Sequence, residues 1–181
     1  MKFIISFIIL FFPIFAINKD ISLELVSFFE KNYGIKLNLE EDNLYLFFQV
    51  KKWLRTPFKM YSTDKLKGIG EIELMNEIYK NAYCRDIPEN IQKLKKEILF
   101  RKNLQALQQG DFLFFSHNVK FTHLGIYLKD GYFIHVDALY GVKLDLLENL
   151  GPELKLVGGG KLPCKNSRKK LGLEDFLIDT E

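Results

Sequence analysis

Gly110-Asp111-Phe112-Leu113-Phe114-Phe115, then a polar loop, then Thr122-His123-Leu124-Gly125-Ile126-Tyr127-Leu128, Lys129-Asp130-Gly131 and Tyr132-Phe133-Ile134-His135-Val136 form the stretch that decides the fold. Phe112 to Phe115 is an apolar run too short for a helix and reads as a buried strand. The two later segments are rich in β-branched and aromatic residues and flank Asp130-Gly131, a strong hairpin signal. A two-residue loop there would pair Ile126 with His135 and send His123 to the opposite face. A three-residue loop, Lys129-Asp130-Gly131 with Gly131 left-handed, pairs Leu128 with Tyr132, Ile126 with Ile134 and Gly125 with His135. The second register gathers Leu124, Ile126, Leu128, Ile134 and Val136 on one face, as a buried face requires, and is the one expected. His123 and His135 then become diagonal neighbours on the other face, about 7–8 Å apart between Cα atoms. Gly125 would leave a space opposite His135. On spacing alone, the commoner outcome is a hydrogen-bonded histidine pair packed under a loop.

These three segments, in this order and spacing, resemble the second half of the NlpC/P60 family, papain-like cysteine peptidases that cut peptidoglycan stem peptides. The resemblance implies that His123 is the base partner of a nucleophile and that His135 orients it. It also implies an α+β fold with amino-terminal helices packed on a small antiparallel sheet. It covers roughly 47–150.

Two departures stand upstream. Trp53-Leu54-Arg55-Thr56-Pro57-Phe58 resembles the family's Gly-Thr-Pro-Tyr motif, with Arg55 for glycine and Phe58 for tyrosine. Phe58 cannot donate the tyrosine's hydrogen bond. Lys67-Gly68-Ile69-Gly70-Glu71-Ile72-Glu73-Leu74 falls where the family carries Gly-x-Asp-Cys-Ser-Gly-Phe. Gly70 then occupies the aspartate position, Glu71 the cysteine position, and Ile72 and Glu73 the serine and glycine positions. The helix expected to follow is present as an apolar stripe of Ile72, Met75, Ile78, Tyr79 and Ala82. Cys84 lies thirteen residues after Glu71, about 20 Å along a helix, at the end where the dipole disfavours a thiolate. Cys164, in Leu162-Pro163-Cys164-Lys165, has no helix start around it. The two cysteines form a disulfide candidate in an oxidising compartment, although their separation in sequence fixes no distance.

The chain has 181 residues, 48% of them hydrophobic, enough for one domain with a substantial core. A net charge of +3 is too small to argue for nucleic acid. Met1 to Ala16 has a basic start, an apolar run and a small residue at its end, a secretory signal pattern too short for a comfortable membrane span. An uncleaved anchor is the alternative. The expected layout is a signal peptide over 1–16, a helical extension over 17–45, the NlpC/P60-like domain over 46–150 and a carboxy-terminal extension over 151–181.

Ile21 to Lys31 reads as a helix stopped by Gly34. Asn38 and the acidic run 40–42 are expected to begin a second helix, with Leu46, Phe47, Val50, Trp53 and Leu54 on its apolar side. Ile91, Leu94, Ile98 and Leu99 give a short amphipathic helix. Gly141 to Leu146 alternates as a strand, and Leu154 to Val157 adds another before Gly158-Gly159-Gly160. His117 and the basic run 168–170 read as solvated.

The site residues implied by the resemblance are His123, His135 and Glu71, with Phe58, Asp111 and Gly125 as substrate contacts. Without the cysteine, the expectation is an exported, catalytically inactive binder of a peptidoglycan peptide or an envelope protein. It would need no cofactor and have no stable membrane insertion once the signal is removed. The alternatives are a hydrolase with a displaced cysteine, and a zinc site of Glu71, His123 and His135 with an open position for water.

Overall fold

The computed structural model describes residues 20–99, 104–117, 120–152 and 154–162. The signal segment, Cys164 with its disulfide candidate, and the basic run 168–170 lie outside them, as does the side chain of His117. The described residues fall into two compact units, one up to Leu44 and one from Tyr45 onward.

In the first unit, helix α1 spans 20–33, close to the expected span. Gly34 ends it at φ +72°. Its N–H and that of Ile35 close on the carbonyls of Glu30 and Phe29 at 3.0 and 3.2 Å. The acidic run does not begin a helix. Asn38 Oδ1 accepts from Glu40 N at 2.9 Å, and Asn38 N donates to the Asp42 carboxylate at 2.7 Å. These local side-chain bonds hold a turn that competes with helix.

Helix α2 (Leu44–Trp53) therefore starts later and has no acid in its first turn. Leu46, Phe47, Val50 and Trp53 are buried on it as expected, whereas Leu54 falls past its end. A small hairpin of β1 (Thr63–Asp64) and β2 (Gly68–Ile69) leads into α3 (Glu71–Tyr83). α3 buries Leu74, Met75, Ile78 and Tyr79; Ile72, placed on the core stripe by periodicity, lines a cavity instead. Cys84 caps its carboxy-terminal end in the left-handed conformation. α4 (Ile91–Glu97) follows, capped by the Asn90 side chain and anchored by buried Leu94; Leu99, expected on its apolar side, is exposed.

Five antiparallel strands form the main sheet: β3 (Phe112–His117), β4 (Lys120–Tyr127), β5 (Tyr132–Asp137), β6 (Gly141–Leu146) and β7 (Lys155–Gly160). Their order is β6-β5-β4-β3-β7. The β4–β5 register is the expected one, Gly125 with His135 and Ile126 with Ile134. Asp130 and Gly131 both adopt positive φ in the loop. Leu124, Ile126, Leu128, Ile134 and Val136 are buried together, each contributing on the order of 1.5–3 kcal/mol. Tyr79 of α3 stacks on Phe112, ring centroids 4.1 Å apart, and its hydroxyl donates to the Gly110 carbonyl.

The opposite face is also buried in part, by Leu113, Phe115 and Phe133 with Leu156 packed against them. β7 runs on through the glycine triplet, beyond the expected strand. A Cβ at Gly159 would lie 2.5 Å from the Phe112 carbonyl, so only glycine lets these two strands approach.

Candidate functional site

The site grows from a place where two strands separate. Leu128 N donates to Tyr132 O at 2.8 Å, and in an antiparallel ladder every second residue repeats that orientation. Ile126 and then Leu124 are therefore the residues on this edge whose N–H points toward β5. The ladder stops at Gly125–His135, so the Leu124 N–H has no strand partner. Glu71, the first residue of α3, supplies one: its Oε1 accepts from Leu124 N at 2.9 Å. Gly70 makes room at the helix start, because a Cβ there would fall 2.0 Å from the Glu73 carboxylate.

The same Glu71 oxygen contacts His123 Nδ1. His123 Nε2 lies 2.7 Å from His135 Nδ1, and His135 Nε2 lies 2.9 Å from Asp145 Oδ2. The two rings are perpendicular, centroids 4.9 Å apart, and Phe133 stacks beside His135. Lys143 closes the line, 3.0 Å from Asp145 and 3.4 Å from Asp137. A carboxylate thus terminates each end of a two-imidazole chain.

Proton counting restricts the charge. With both carboxylates ionised, three contacts need three ring hydrogens, one more than two neutral imidazoles carry. The fully bonded chain is therefore a singly charged pair. Burial pushes the His135 pKa below the usual histidine value, against the opposite pull of Asp145 and with the charge of His123 adding to the fall. Burial raises the Asp145 pKa, but hydrogen bonds from His135 and Lys143 outweigh it and the net shift is downward. Burial works against charge on Lys143 as well, and the two aspartates more than offset it.

Glu71, His123 and His135 line a cavity of about 610 Å³, together with Phe58. Asp111 and Gly125 are not brought there. Asp111 is fully buried, its carboxylate accepting from Gln108 N at 2.9 Å. The space expected at Gly125 is filled by Phe133, whose Cδ2 would lie 2.8 Å from a Cβ there. Asp145 and Lys143, which the sequence places in a strand and not in the site, join it here. The signal was present: β6 alternates, and its pairing sets Lys143 opposite His135 and Asp145 opposite Phe133.

The proposed metal triad does not fit. Among the described residues no three His, Cys, Asp or Glu side chains are arranged to hold an ion. The donor atoms of Glu71, His123 and His135 are strung in a line and bonded to one another, whereas zinc needs lone pairs that converge. Cys84 also stays at the far end of α3 from this cluster.

Comparison with known proteins places the fold. An NlpC/P60 family protein from Bacillus cereus is 25% identical with a TM-score of 0.58, over 67% of this chain and 40% of that one. The NlpC/p60 domain of the peptidoglycan hydrolase SagA is 18% identical, TM-score 0.54, over 66% of this chain and 98% of that domain. RipD of Mycobacterium tuberculosis, described as a non-catalytic NlpC/p60 domain protein adapted to peptidoglycan binding, is 13% identical, TM-score 0.52, over 67% and 97%. The last two likenesses show the fold alone. The chain spans less than half the length of the Bacillus cereus protein. No curated protein sequence matches significantly. The NlpC/P60 family model matches residues 60–159, more than half of the chain, and the chain belongs to the NlpC/P60 family.

Proposed function

We propose that this chain is a non-catalytic NlpC/P60 domain that binds peptide at the cavity beside His123, the ligand being a peptidoglycan stem peptide or an envelope protein. The observation that carries the reading is Glu71. It stands at the first position of α3, where sequence resemblance puts the family's cysteine, and its Oε1 is engaged by both Leu124 N and His123. A carboxylate is a poor nucleophile toward amides, and this one is already hydrogen-bonded to the would-be base. Phe58 lines the cavity without a hydroxyl to offer. A fold shared with the peptidoglycan-binding RipD supports the same direction. The reading further takes Met1 to Ala16 as an export signal, which brings the domain to the cell envelope.

One observation favours the alternative, a hydrolase of altered chemistry: the His123–His135–Asp145 chain is intact. Mass spectrometry of peptidoglycan incubated with the purified protein and with His123→Ala separates the two. Binding predicts an unchanged muropeptide profile from both proteins and sedimentation of the wild type with the wall. New muropeptides that vanish in the variant would overturn it.

A further inference from the structure

The cavity carries a charge imbalance that the described residues do not neutralise. Its lining includes Glu71, Glu73, Glu89 and Asp137 and, among the described residues, no lysine or arginine. Two of these acids are matched, Glu71 by His123 and Asp137 by Lys143. Glu73 and Glu89 have no side-chain ion pair or hydrogen bond among the described residues. Lys143 is held by Asp137 and Asp145. Beside these acids the wall is apolar and open to water: Met60 is 61% exposed and Tyr61 85%. Concave acidic sites with apolar walls concentrate the field on a visiting cation and reject like charge.

We propose that the cavity takes a cationic peptide segment, its ammonium group neutralised by Glu73 and Glu89 and a neighbouring apolar side chain set against Met60 and Tyr61. The proposal rests on the peptide-binding reading and specifies its ligand. The Tyr61 ring adds a face on which an ammonium is attracted. A carboxylate meets no lysine or arginine in the lining, so the ammonium group is the selecting feature.

The test uses the full chain and three terminally blocked tripeptides, Ala-Lys-Ala, the same peptide with the lysine acetylated, and Ala-Glu-Ala, titrated by NMR. The lysine peptide is expected to bind roughly tenfold tighter than its acetylated form, the scale of two partly exposed charge contacts. The glutamate peptide should be weakest. In a Glu73→Gln/Glu89→Gln double variant the advantage of lysine should fall below about twofold. Salt provides a second measurement on the wild type, weakening the lysine peptide and leaving the acetylated one unchanged. Equal affinity for the lysine and acetylated peptides overturns the charge inference while peptide binding stands. Binding of none of the three overturns the inference, and sedimentation with peptidoglycan then shows whether the binding reading falls with it.

Discussion

Glu71 Oε1 and the backbone nitrogen of Leu124 lie 2.9 Å apart, so a side chain from a helix continues a strand ladder at the point where β4 and β5 part. The carboxylate is then a structural member of the sheet as well as a neighbour of His123. Glu71→Ala leaves the Leu124 N–H and the His123 ring without their acceptor, at a cost of about 1.5–3 kcal/mol. Glu71→Gln keeps one acceptor oxygen and should lose less. Urea denaturation measures both, and an alanine variant as stable as the wild type would remove Glu71 from the ladder.

A thiol at the same place would meet conditions that favour its ionised form. Glu71→Cys puts sulfur at the start of a thirteen-residue helix beside His123. Iodoacetamide should label that cysteine at neutral pH at least about tenfold faster than Cys84, which caps the opposite end. The excess rate should disappear when His123→Ala is added. Equal rates at the two cysteines would mean that the helix start no longer activates a nucleophile.

Acid should weaken the fold through His135. Its folded pKa lies below the usual histidine value of 6.5, with burial the main cause. As pH falls through 6.5, the unfolded chain takes up protons that the folded one resists, so the stabilisation present above that pH is lost below it. Asp145 acts in the same direction, but only below 3.8. Urea midpoints should drop between about pH 7.5 and pH 5, and His135→Gln should flatten that drop. An unchanged slope in the variant would assign the loss to other groups.

Gly125→Ala tests the packing under the histidines. The new methyl meets Phe133 Cδ2 at 2.8 Å and the Ile134 carbonyl at 3.0 Å. Phe133 must move, and it is the ring stacked on His135. Overpacking of this kind costs about 1–3 kcal/mol. Thermal denaturation checks it, and a neutral result would show that Phe133 has room to give.

The hairpin was legible because two independent signals agreed, turn chemistry at Asp130-Gly131 and a single register that buries Leu124, Ile126 and Ile134 together. His123 and His135 came with it. The partners of those histidines were harder to read, for different reasons. Glu71 is 53 residues from Leu124, and nothing local reveals that a ladder ends and needs a donor satisfied. Asp145 depended on registering β6 against β5, a step that alternation allowed. The register implies a space at Gly125, which the Phe133 ring fills, and Asp111 is fully buried, which nothing in its local sequence announces. The acidic turn before α2 shows the limit of dipole arguments when Asn38 can bond its own backbone neighbours.

The outer side of β6 has a bearing on how a ligand is read. Val142 N donates to Thr56 O and Val142 O accepts from Arg55 N, both at 2.8 Å, next to the Asp137–Ala138 wall of the cavity. A visiting peptide finds that strand edge already taken, so it cannot dock at Val142 by lending its own main chain as an extra strand. Discrimination then falls on side chains, and two peptides of identical composition but scrambled order should be told apart.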